Sequence, residues 1–296
     1  MNLRQLARQG DDMIYSTKTM KMAVIGDPID HSLSPFMHGK IIEEHGYDAL
    51  YIPVLVRGSE TAEFTEAAKR MGFSGFNATM PHKVNLLDIV DEIDPAAESY
   101  GAINTVRIRD GKTCGFNTDA PGLLAALRNR EARVKGAEIM IIGAGGASGA
   151  AVRAFAESGA SSITVLNRTL KKAEELTADI DCASAVQLTQ DNLASYAASA
   201  DLIVNCTPLG MSGVKGDFRD LSFLDDSKAF VTDLIYNPWR TSLLSYAEKR
   251  GLKVMNGLDM LIYQGLLSFQ IFTGIELDLD AEYRFLEPLC RKRLEY

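Results

Sequence analysis

A short apolar run that leads directly into a glycine-rich turn constrains the fold of this chain most strongly. Glu138–Gly143 reads EIMIIG, typical of a buried strand, and Ala144, Gly145 and Gly146 follow before a helical pattern begins. A strand, a tight turn and a helix in immediate succession indicate an α/β domain, in which crossover helices cover a parallel sheet. With 296 residues the chain is about twice the length of a usual single domain, so we expect two domains.

Strands and helices alternate on both sides of this turn. After it, the pattern predicts helices over Gly146–Ser158, Thr169–Ala178 and Thr241–Lys249, and strands over Ser162–Asn167, Leu202–Cys206 and Phe230–Leu234. Before it, an earlier series starts at the strand Lys21–Gly26 and includes a hairpin around Asp110-Gly111. The tail, Gly257–Thr273 and Asp280–Lys292, is helical, and we expect it to return to the first domain.

The predicted fold is therefore α/β with two domains. Residues 21–120 with 257–296 are predicted to form a discontinuous substrate domain with a mostly parallel sheet. Residues 121–256 are predicted to form a Rossmann-like dinucleotide-binding domain, with the active site in the cleft between the two. Residues 1–20 form an N-terminal extension without an assignable role.

The glycine-rich turn predicts a site for a pyrophosphate. Glycines allow backbone amides to approach the phosphates, which then lie at the positive end of the following helix. The predicted contacts are Gly143, Ala144, Gly145, Gly146 and Ala147. A tight turn without any ligand is the alternative interpretation. The next position is Ser148 rather than glycine, and a small residue there is consistent with close helix–strand packing.

The end of the next strand indicates which dinucleotide is bound. Proteins that bind NAD usually carry an acid there, whereas this chain has Asn167, Arg168 and Thr169, followed by Lys171 and Lys172. A carboxylate would repel a 2′-phosphate, and Arg168 can hold one through charge-assisted hydrogen bonds. The alternative is that Thr169 caps a helix whose lysines are solvated. We predict NADP, bound by Asn167, Arg168, Thr169 and Lys172.

Polar residues concentrate in four short segments of the first domain: 31–35 (HSLSP), 77–83 (NATMPHK), 101–105 (GAINT) and 115–119 (GFNTD). Open α/β sheets bind ligands beyond the carboxyl ends of their strands, so we expect these segments to converge. Their donors and acceptors suit a small polyhydroxylated acid. Thr79 ahead of Pro81 predicts a helix start with proline in the first turn, which places Lys83 there.

Together these segments resemble the shikimate dehydrogenase family from Lys21 onward. The resemblance is carried by SLSP, N-x-T-x-P-H-K, G-A-x-N-T, N-T-D, GAGGAS and N-R-T, by DLIY at 233–236, and by G-L-x-M-L-x-x-Q at 257–264. One departure is Ala120, where family members often carry glycine. The resemblance implies an oxidoreductase acting on a CH–OH group: reversible NADPH-dependent reduction of 3-dehydroshikimate to shikimate, in aromatic amino-acid and chorismate biosynthesis.

The resemblance also implies roles for individual residues. Ser32, Ser34 and Tyr236 would hold the substrate carboxylate, Thr79, Asn104 and Gln264 the ring hydroxyls, Lys83 and Asp119 would form the catalytic pair, and Leu234 and Gly257 would line the nicotinamide site. Lys83 would donate the proton that the new alkoxide requires, with Asp119 fixing its ammonium group. On the residues alone, a polar helical stripe such as Gln264 and Ser268 normally faces water.

Composition excludes several classes of partner and leaves others open. The net charge of −8 argues against a nucleic-acid surface, and no uncharged apolar stretch approaches the ~20 residues that span a bilayer. The four cysteines and four histidines have no metal-site spacing, so we predict no metal and a reducing, cytoplasmic location. The sequence does not distinguish a monomer from a homodimer.

Two other functions remain open. The first is a quinate/shikimate dehydrogenase that uses NAD or NADP. The second is a non-catalytic sensor that binds NADP or a cyclohexene acid, against which the presence of both Lys83 and Asp119 argues.

Overall fold

Two six-stranded sheets, with helices between their strands, organise residues 15–295, the part of the chain that the computed structural model describes. Contacts divide the chain into two units: Met1–Thr118 with Gln264–Cys290, and Asp119–Tyr263 with Arg291–Tyr296. The predicted α/β class with parallel-rich sheets is confirmed. Most of the predicted N-terminal extension, residues 1–14, lies outside the described residues.

The first unit contains a sheet in which a single strand runs against the others. Its strands are β1 (Met20–Gly26), β2 (Ala49–Leu55), β3 (Gly75–Ala78), β4 (Glu92–Ile93), β5 (Thr105–Arg109) and β6 (Lys112–Phe116), and its first helices are α1 (Ser34–His45), α2 (Thr61–Arg70), α3 (His82–Asn85) and α4 (Pro95–Tyr100). The strand order is β2-β1-β3-β5-β6-β4, and only β5 is antiparallel to its neighbours. The amino end of β5 therefore shares an edge with the carboxyl ends of β1, β3 and β6.

The hairpin between β5 and β6 forms where the sequence predicts it. Asp110 and Gly111 both have positive φ angles, 53° and 76°, and Arg109 pairs with Lys112 across the turn. Two successive positive φ values match the twist of the flanking strands, and aspartate followed by glycine tolerates them best. On the apolar side of this sheet, Ile25, Phe76 and Ile103 belong to one buried cluster.

The start of α3 differs from the prediction in its capping. The helix begins at His82 as expected, but Pro81 occupies the N-cap position instead of the first turn. Thr79 contributes its backbone carbonyl, which accepts the His82 N–H at 2.9 Å, and no side chain caps the helix. Thr79 lies two residues before the N-cap, so its hydroxyl is not in the position from which a cap is formed.

The second unit contains an entirely parallel sheet. Its strands are β7 (Glu138–Ile142), β8 (Ser162–Asn167), β9 (Ala183–Gln187), β10 (Leu202–Asn205), β11 (Phe230–Asp233) and β12 (Val254–Met255), and the remaining helices of the chain are α5 (Asp119–Asn129), α6 (Gly146–Glu157), α7 (Leu170–Thr177), α8 (Gln190–Ser199), α9 (Ser242–Lys249), α10 (Gly257–Thr273) and α11 (Leu279–Leu294). The order β12-β11-β10-β7-β8-β9 reverses direction between β7 and β10. This is the doubly wound order of dinucleotide-binding folds, which bind their ligand beside the reversal.

Candidate active site

Backbone hydrogen bonds bring three predicted site residues of the first unit to one edge of its sheet. The Thr79 N–H donates to the carbonyl of Ile25 at 2.9 Å, and the Ala78 N–H donates to that of Asn104 at 2.9 Å. The Ile103 N–H donates to the Lys83 carbonyl at 2.8 Å. Thr79, Lys83 and Asn104 therefore lie on neighbouring chain segments at this edge, because β5 enters the sheet where β1 and β3 leave it.

The two predicted serines lie at the amino end of α1. Ser34 is the first residue of this 12-residue helix and is buried, and Ser32 precedes it, with its N–H donating to the Ile29 carbonyl at 3.0 Å. The amino end of a helix carries partial positive charge and unsatisfied N–H groups. Two hydroxyls at such a position can hold a carboxylate.

Asn104 is buried and bonded at both ends of its amide. Its Oδ1 accepts the backbone N–H of Thr118 at 2.8 Å and the hydroxyl of Thr105 at 2.9 Å. Its Nδ2 lies 2.9 Å from the Thr118 hydroxyl and 3.3 Å from Oε1 of Gln264. These bonds fix the orientation of the Asn104 amide and connect the start of β5 to α10.

A second buried asparagine extends this network away from the sheet edge. Asn77, at the third position of β3, donates from Nδ2 to the hydroxyls of Thr105 at 2.9 Å and Ser268 at 2.8 Å. Its Oδ1 accepts the hydroxyl of Tyr51 at 2.7 Å. Asn77 and Thr105 lie within two of the family motifs, which imply no role for them, and no motif predicts a role for Tyr51 or Ser268.

The polar stripe of α10 faces the protein interior, contrary to what a polar stripe normally does. Gln264 is 9% exposed and Ser268 is fully buried. The expectation of a solvated stripe is wrong because Asn77, Asn104 and Thr118 supply hydrogen-bond partners that replace water. A period of 3.6 residues identifies a polar stripe but not what it faces.

His38 lies behind this network without a polar partner. Its ring stacks on that of Tyr51, with centroids 4.0 Å apart and planes 13° from parallel. Among residues 15–295, neither ring nitrogen has a hydrogen-bond partner. Burial lowers the pKa of His38 from 6.5 to about 3, so the imidazole is neutral at physiological pH.

His82 anchors the segment that carries Lys83. Its Nδ1 lies 2.7 Å from the Thr61 hydroxyl, and its Nε2 lies 2.9 Å from the Val56 carbonyl. Burial lowers the pKa of His82 below its ordinary value. Lys83 itself is half-buried, and Asp119 is buried at the start of α5, in the second unit. Their pairing stays a prediction.

In the second unit, the glycine turn connects β7 to α6 as predicted. Gly145 is the N-cap of α6, and its N–H donates to the hydroxyl of Ser148 at 3.0 Å. Ser148 is fully buried, which a small side chain permits. Gly143 has a φ of 104°, and a Cβ there would lie 2.7 Å from a methyl of Thr207. The turn therefore requires glycine at 143 for both conformation and space.

The end of β8 is bonded to this turn. Asn167 accepts the Ala144 N–H on Oδ1 at 3.2 Å and donates from Nδ2 to the Thr169 carbonyl at 2.8 Å. Arg168 is exposed, and its side chain enters no ion pair within the described part of the chain. The side chain of Thr169 makes no capping bond to α7, so capping does not explain this residue. Lys172 is exposed on α7.

Two residues assigned to the nicotinamide site are in direct backbone contact. A Cβ on Gly257 would overlap the carbonyl of Leu234, and the Gly257 N–H donates to the Ile235 carbonyl at 3.1 Å. No larger residue fits at Gly257 without moving the segment that follows β11. That segment also contains Tyr236, which is half-buried and whose pKa is raised by burial.

A buried carboxylate that sequence reasoning missed holds the same segment. Asp233 accepts the Asn205 amide at 3.0 Å and the Ile235 N–H at 3.1 Å on Oδ1, and the Thr241 hydroxyl at 2.8 Å on Oδ2. Burial raises its pKa to about 6 despite these bonds. Asp233 therefore connects the ends of β10 and β11, and its place in the DLIY motif was the available signal.

Across residues 15–295, no group of three or more histidine, cysteine, aspartate or glutamate side chains is placed to hold a metal ion. In the same range, no helix combines the length and the apolar character needed to cross a membrane.

The strand order of the second unit, its glycine turn and the bonded end of β8 define the class of protein as a dinucleotide-binding α/β protein. Three family models match the chain. They are the shikimate dehydrogenase substrate binding domain at residues 24–106, shikimate/quinate 5-dehydrogenase at 125–214, and the shikimate 5′-dehydrogenase C-terminal domain at 257–281.

Individual relatives agree with these models. A shikimate dehydrogenase (NADP(+)) of Bacillus cereus is 41% identical over 254 residues, which cover 85% of this chain and 91% of the relative. The shikimate 5-dehydrogenase of Thermus thermophilus, solved with NADP(H) and shikimate, is 32% identical, with a TM-score of 0.81 over 93% of this chain and 99% of that one. The Listeria monocytogenes enzyme, solved with shikimate and NAD, is 31% identical, with a TM-score of 0.82 over 92% and 98% of the two chains. The chain belongs to the shikimate dehydrogenase family.

Proposed function

We propose that this protein catalyses the reversible, NADPH-dependent reduction of 3-dehydroshikimate to shikimate. The observation that carries the proposal is the buried network of amides and hydroxyls around Asn104 and Gln264. It occurs in a chain 41% identical to a shikimate dehydrogenase (NADP(+)). Preorganised amides of this kind suit a ligand with several ring hydroxyls, because hydrogen bonds within the network already hold them in fixed orientations.

Substrate binding is assigned to residues of both units. Ser32 and Ser34, at the positive end of α1, are proposed to hold the carboxylate together with Tyr236. Thr79, Asn104 and Gln264 are proposed to bind the ring hydroxyls. Support for the second group comes from the burial of Asn104 and Gln264 and from the hydrogen bond that joins them.

Proton transfer is assigned to Lys83 and Asp119. NADPH, when bound, would supply the hydride, and the substrate carbonyl that is reduced requires a proton from a positioned acid. Lys83 donates this proton from its ammonium group, and Asp119 holds that group by a charge-assisted hydrogen bond. In the reverse direction, the neutral amine of Lys83 accepts the hydroxyl proton. His82, bonded to Thr61 and Val56, supports this role by fixing the backbone next to Lys83.

The cofactor is assigned to the second unit. The pyrophosphate is proposed to lie on the amides of Gly143, Ala144, Gly145, Gly146 and Ala147, the 2′-phosphate on Asn167, Arg168, Thr169 and Lys172, and the nicotinamide beside Leu234 and Gly257. The exposed guanidinium of Arg168 supports NADP over NAD, because it has no ion-pair partner of its own within residues 15–295. The corresponding domain roles, substrate for 21–120 with 257–296 and NADP for 121–256, belong to the same proposal.

One set of assays tests the proposal. Oxidation of shikimate with NADP⁺ is measured beside oxidation of quinate and beside both acids with NAD⁺. We expect shikimate with NADP⁺ to give the highest kcat/KM. Equal turnover of quinate would favour the quinate/shikimate dehydrogenase, and tight binding of shikimate without turnover would favour the sensor. Light scattering and cell fractionation test whether the protein is a homodimer and acts in the cytoplasm.

A further inference from the structure

Ser268 occupies the centre of the buried network, although neither a motif nor the family resemblance gives it a role. It lies in α10, one helical turn after Gln264, and is fully buried. Four polar atoms lie within 3.0 Å of its Oγ: Asn77 Nδ2 at 2.8 Å, Thr105 Oγ1 at 2.8 Å, Thr118 Oγ1 at 3.0 Å and the Gln264 carbonyl at 2.9 Å. A hydroxyl donates one hydrogen bond and accepts two, so this oxygen is saturated.

The direction of the bonds around Ser268 follows from its neighbours. The backbone carbonyl of Gln264 can only accept, so the Ser268 hydrogen points to it. The oxygen must then accept from the Asn77 amide, and a threonine hydroxyl bonded to it must be the donor. The single hydrogen of Thr105 points to Asn104 Oδ1, so the donor is Thr118. Ser268 is therefore a fixed acceptor for the Thr118 hydroxyl and the Asn77 amide.

These directions extend to the amide of Gln264. Its Oε1 accepts from Asn104 Nδ2 at 3.3 Å, and the same Nδ2 donates to the Thr118 hydroxyl oxygen at 2.9 Å. Asn104 cannot present its oxygen there, because that oxygen accepts the Thr118 N–H at 2.8 Å. With Oε1 turned toward Asn104, Gln264 offers a ligand its N–H groups as donors.

We infer that Ser268 is a positioning residue that sets the amides of Gln264 and Asn104 for the ring hydroxyls of the substrate. The inference rests on the proposed function and deepens it. Ser268 acts through Thr118 and Asn77 and does not itself contact the substrate. Its consequence is a fixed polarity: Gln264 donates to the oxygen of a ring hydroxyl, which disfavours ligands that offer only a donor at that position.

Kinetics of Ser268→Ala test this role. Without the fixed acceptor, the amides lose their single orientation, and we expect the KM for shikimate to rise about 5- to 30-fold. The kcat should fall less than about threefold, and the KM for NADP⁺ should not change. In a Gln264→Ala background, Ser268→Ala should raise the KM by a smaller factor than in the wild type, because residues that act through one another are not additive. Additive effects in the double variant would overturn the inference.

Thr273→Val provides a matched control on the same helix. Thr273 also donates its hydroxyl to the carbonyl four residues earlier, that of Phe269, at 2.7 Å, but it lies outside the network. Valine keeps the shape of threonine and removes this bond. We expect unchanged kcat and KM whatever the loss in stability. A rise in the KM for shikimate equal to that of Ser268→Ala would show that the helix, and not the network, is responsible.

A measurement without turnover separates this inference from the proposed function. In ¹⁵N-labelled protein, the side-chain amides of Asn77 and Asn104 should exchange their hydrogens slowly. Exchange should accelerate at least about tenfold in Ser268→Ala and should not change in Thr273→Val. A wild type inactive on shikimate would refute the proposed function alone. Unchanged amide exchange in Ser268→Ala would refute the positioning role, whatever the activity.

Discussion

Arg130 holds Asp259 through two parallel N–H···O bonds, each 3.0 Å long. The arginine follows α5, and the aspartate lies in the first turn of α10. The carboxylate side chain is 1% exposed, whereas the arginine side chain is 39% exposed. The pair therefore connects the residue that follows α5 to the first turn of α10, and Arg130 supplies a positive charge beside the buried carboxylate.

Replacing Arg130 should lower the free energy of unfolding by more than the loss of an ordinary surface ion pair does. We expect Arg130→Met to lower the free energy of unfolding by roughly 3 kcal/mol, because it leaves a buried carboxylate without this cation. Adding Asp259→Asn should recover part of the loss, since the buried negative charge that lost the Arg130 cation is then gone. Urea denaturation measures both variants. Equal stability of Arg130→Met and wild type would show that Asp259 does not require Arg130 as its counterion.

Lys83→Ala should lower kcat by about 10²- to 10⁴-fold, the usual effect of a lost general acid–base. The affinity for shikimate should change less, because other residues bind the ring. Lys40→Ala, which removes an exposed lysine paired with Glu43, serves as the control and should leave kcat unchanged. Near-normal turnover in a folded Lys83→Ala protein would exclude this lysine as the proton donor.

Arg168→Ala should weaken NADP⁺ binding by roughly ten- to a hundredfold, the value of one charge-assisted hydrogen bond. NAD⁺ lacks the 2′-phosphate and should lose much less. Lys171→Ala is the control, because Lys171 is exposed nearby and its nitrogen lies 3.9 Å from Glu175. Titration calorimetry measures the affinity of each protein for both cofactors. An equal loss of affinity for NADP⁺ and NAD⁺ would show that Arg168 contacts the adenosine or supports the fold, and does not bind the 2′-phosphate.

Ser34→Thr should narrow the preference for shikimate over quinate. The carboxylate of shikimate is attached to a planar alkene carbon, whereas that of quinate is attached to a tetrahedral carbon with an additional hydroxyl. Ser34 is buried at the start of α1, so an added methyl reshapes the carboxylate site. Such steric changes are worth about 1–3 kcal/mol. The kcat/KM for both acids is measured in the wild type and in Ser34→Thr. A ratio of the two values that is the same in both proteins would show that Ser34 does not discriminate between shikimate and quinate.

His38→Phe should make the protein less sensitive to acid. In the unfolded chain His38 binds a proton below its ordinary pKa of 6.5, whereas in the folded protein it does so only below about 3. Between these values the unfolded state binds more protons, so each fall of one pH unit lowers the stability of the wild type by up to about 1.4 kcal/mol. Phenylalanine keeps an aromatic ring against Tyr51 and does not titrate.

Urea denaturation at pH 7 and pH 5 measures this difference. From pH 7 to pH 5, we expect the wild type to lose about 2 kcal/mol more than His38→Phe. The pKa of His82 is also lowered by burial, but His82 is present in both proteins and its contribution cancels. The pKa of Tyr51 is raised, so this residue stays neutral at both pH values. Parallel losses in the two proteins would show that His38 is solvated in the native state.

Features set by local chemistry could be predicted from the sequence. The turn at Asp110-Gly111 and the glycine turn after β7 depend on residues that tolerate positive φ, and both occur where predicted. The strands β4 and β12 have two residues each, and β9 has half-buried and exposed positions, so none of them gives a clear pattern. Such strands form because a neighbouring strand offers unpaired backbone groups, which the local sequence does not record.

The buried network could not be predicted in the same way. Asn77 and Ser268 are 191 positions apart, and the bond between them depends on where α10 packs. Tyr51 reads as one more aromatic residue in a strand until its hydroxyl is seen 2.7 Å from Asn77. Motifs identify residues of the site by their resemblance to a family. The residues that orient them are found only from contacts in the folded protein.

The network also determines the order in which the two units can fold during translation. Asn77, Asn104 and Thr118 leave the ribosome early, but Gln264 and Ser268 follow only after the whole of Asp119–Tyr263 has been made. The second unit can thus complete its sheet during translation, while the first, although it begins the chain, waits with unsatisfied amides for α10. Nascent chains that stop before Gln264 should therefore contain a protease-resistant second unit and a protease-sensitive first one, the reverse of the usual amino-to-carboxyl order of domain folding.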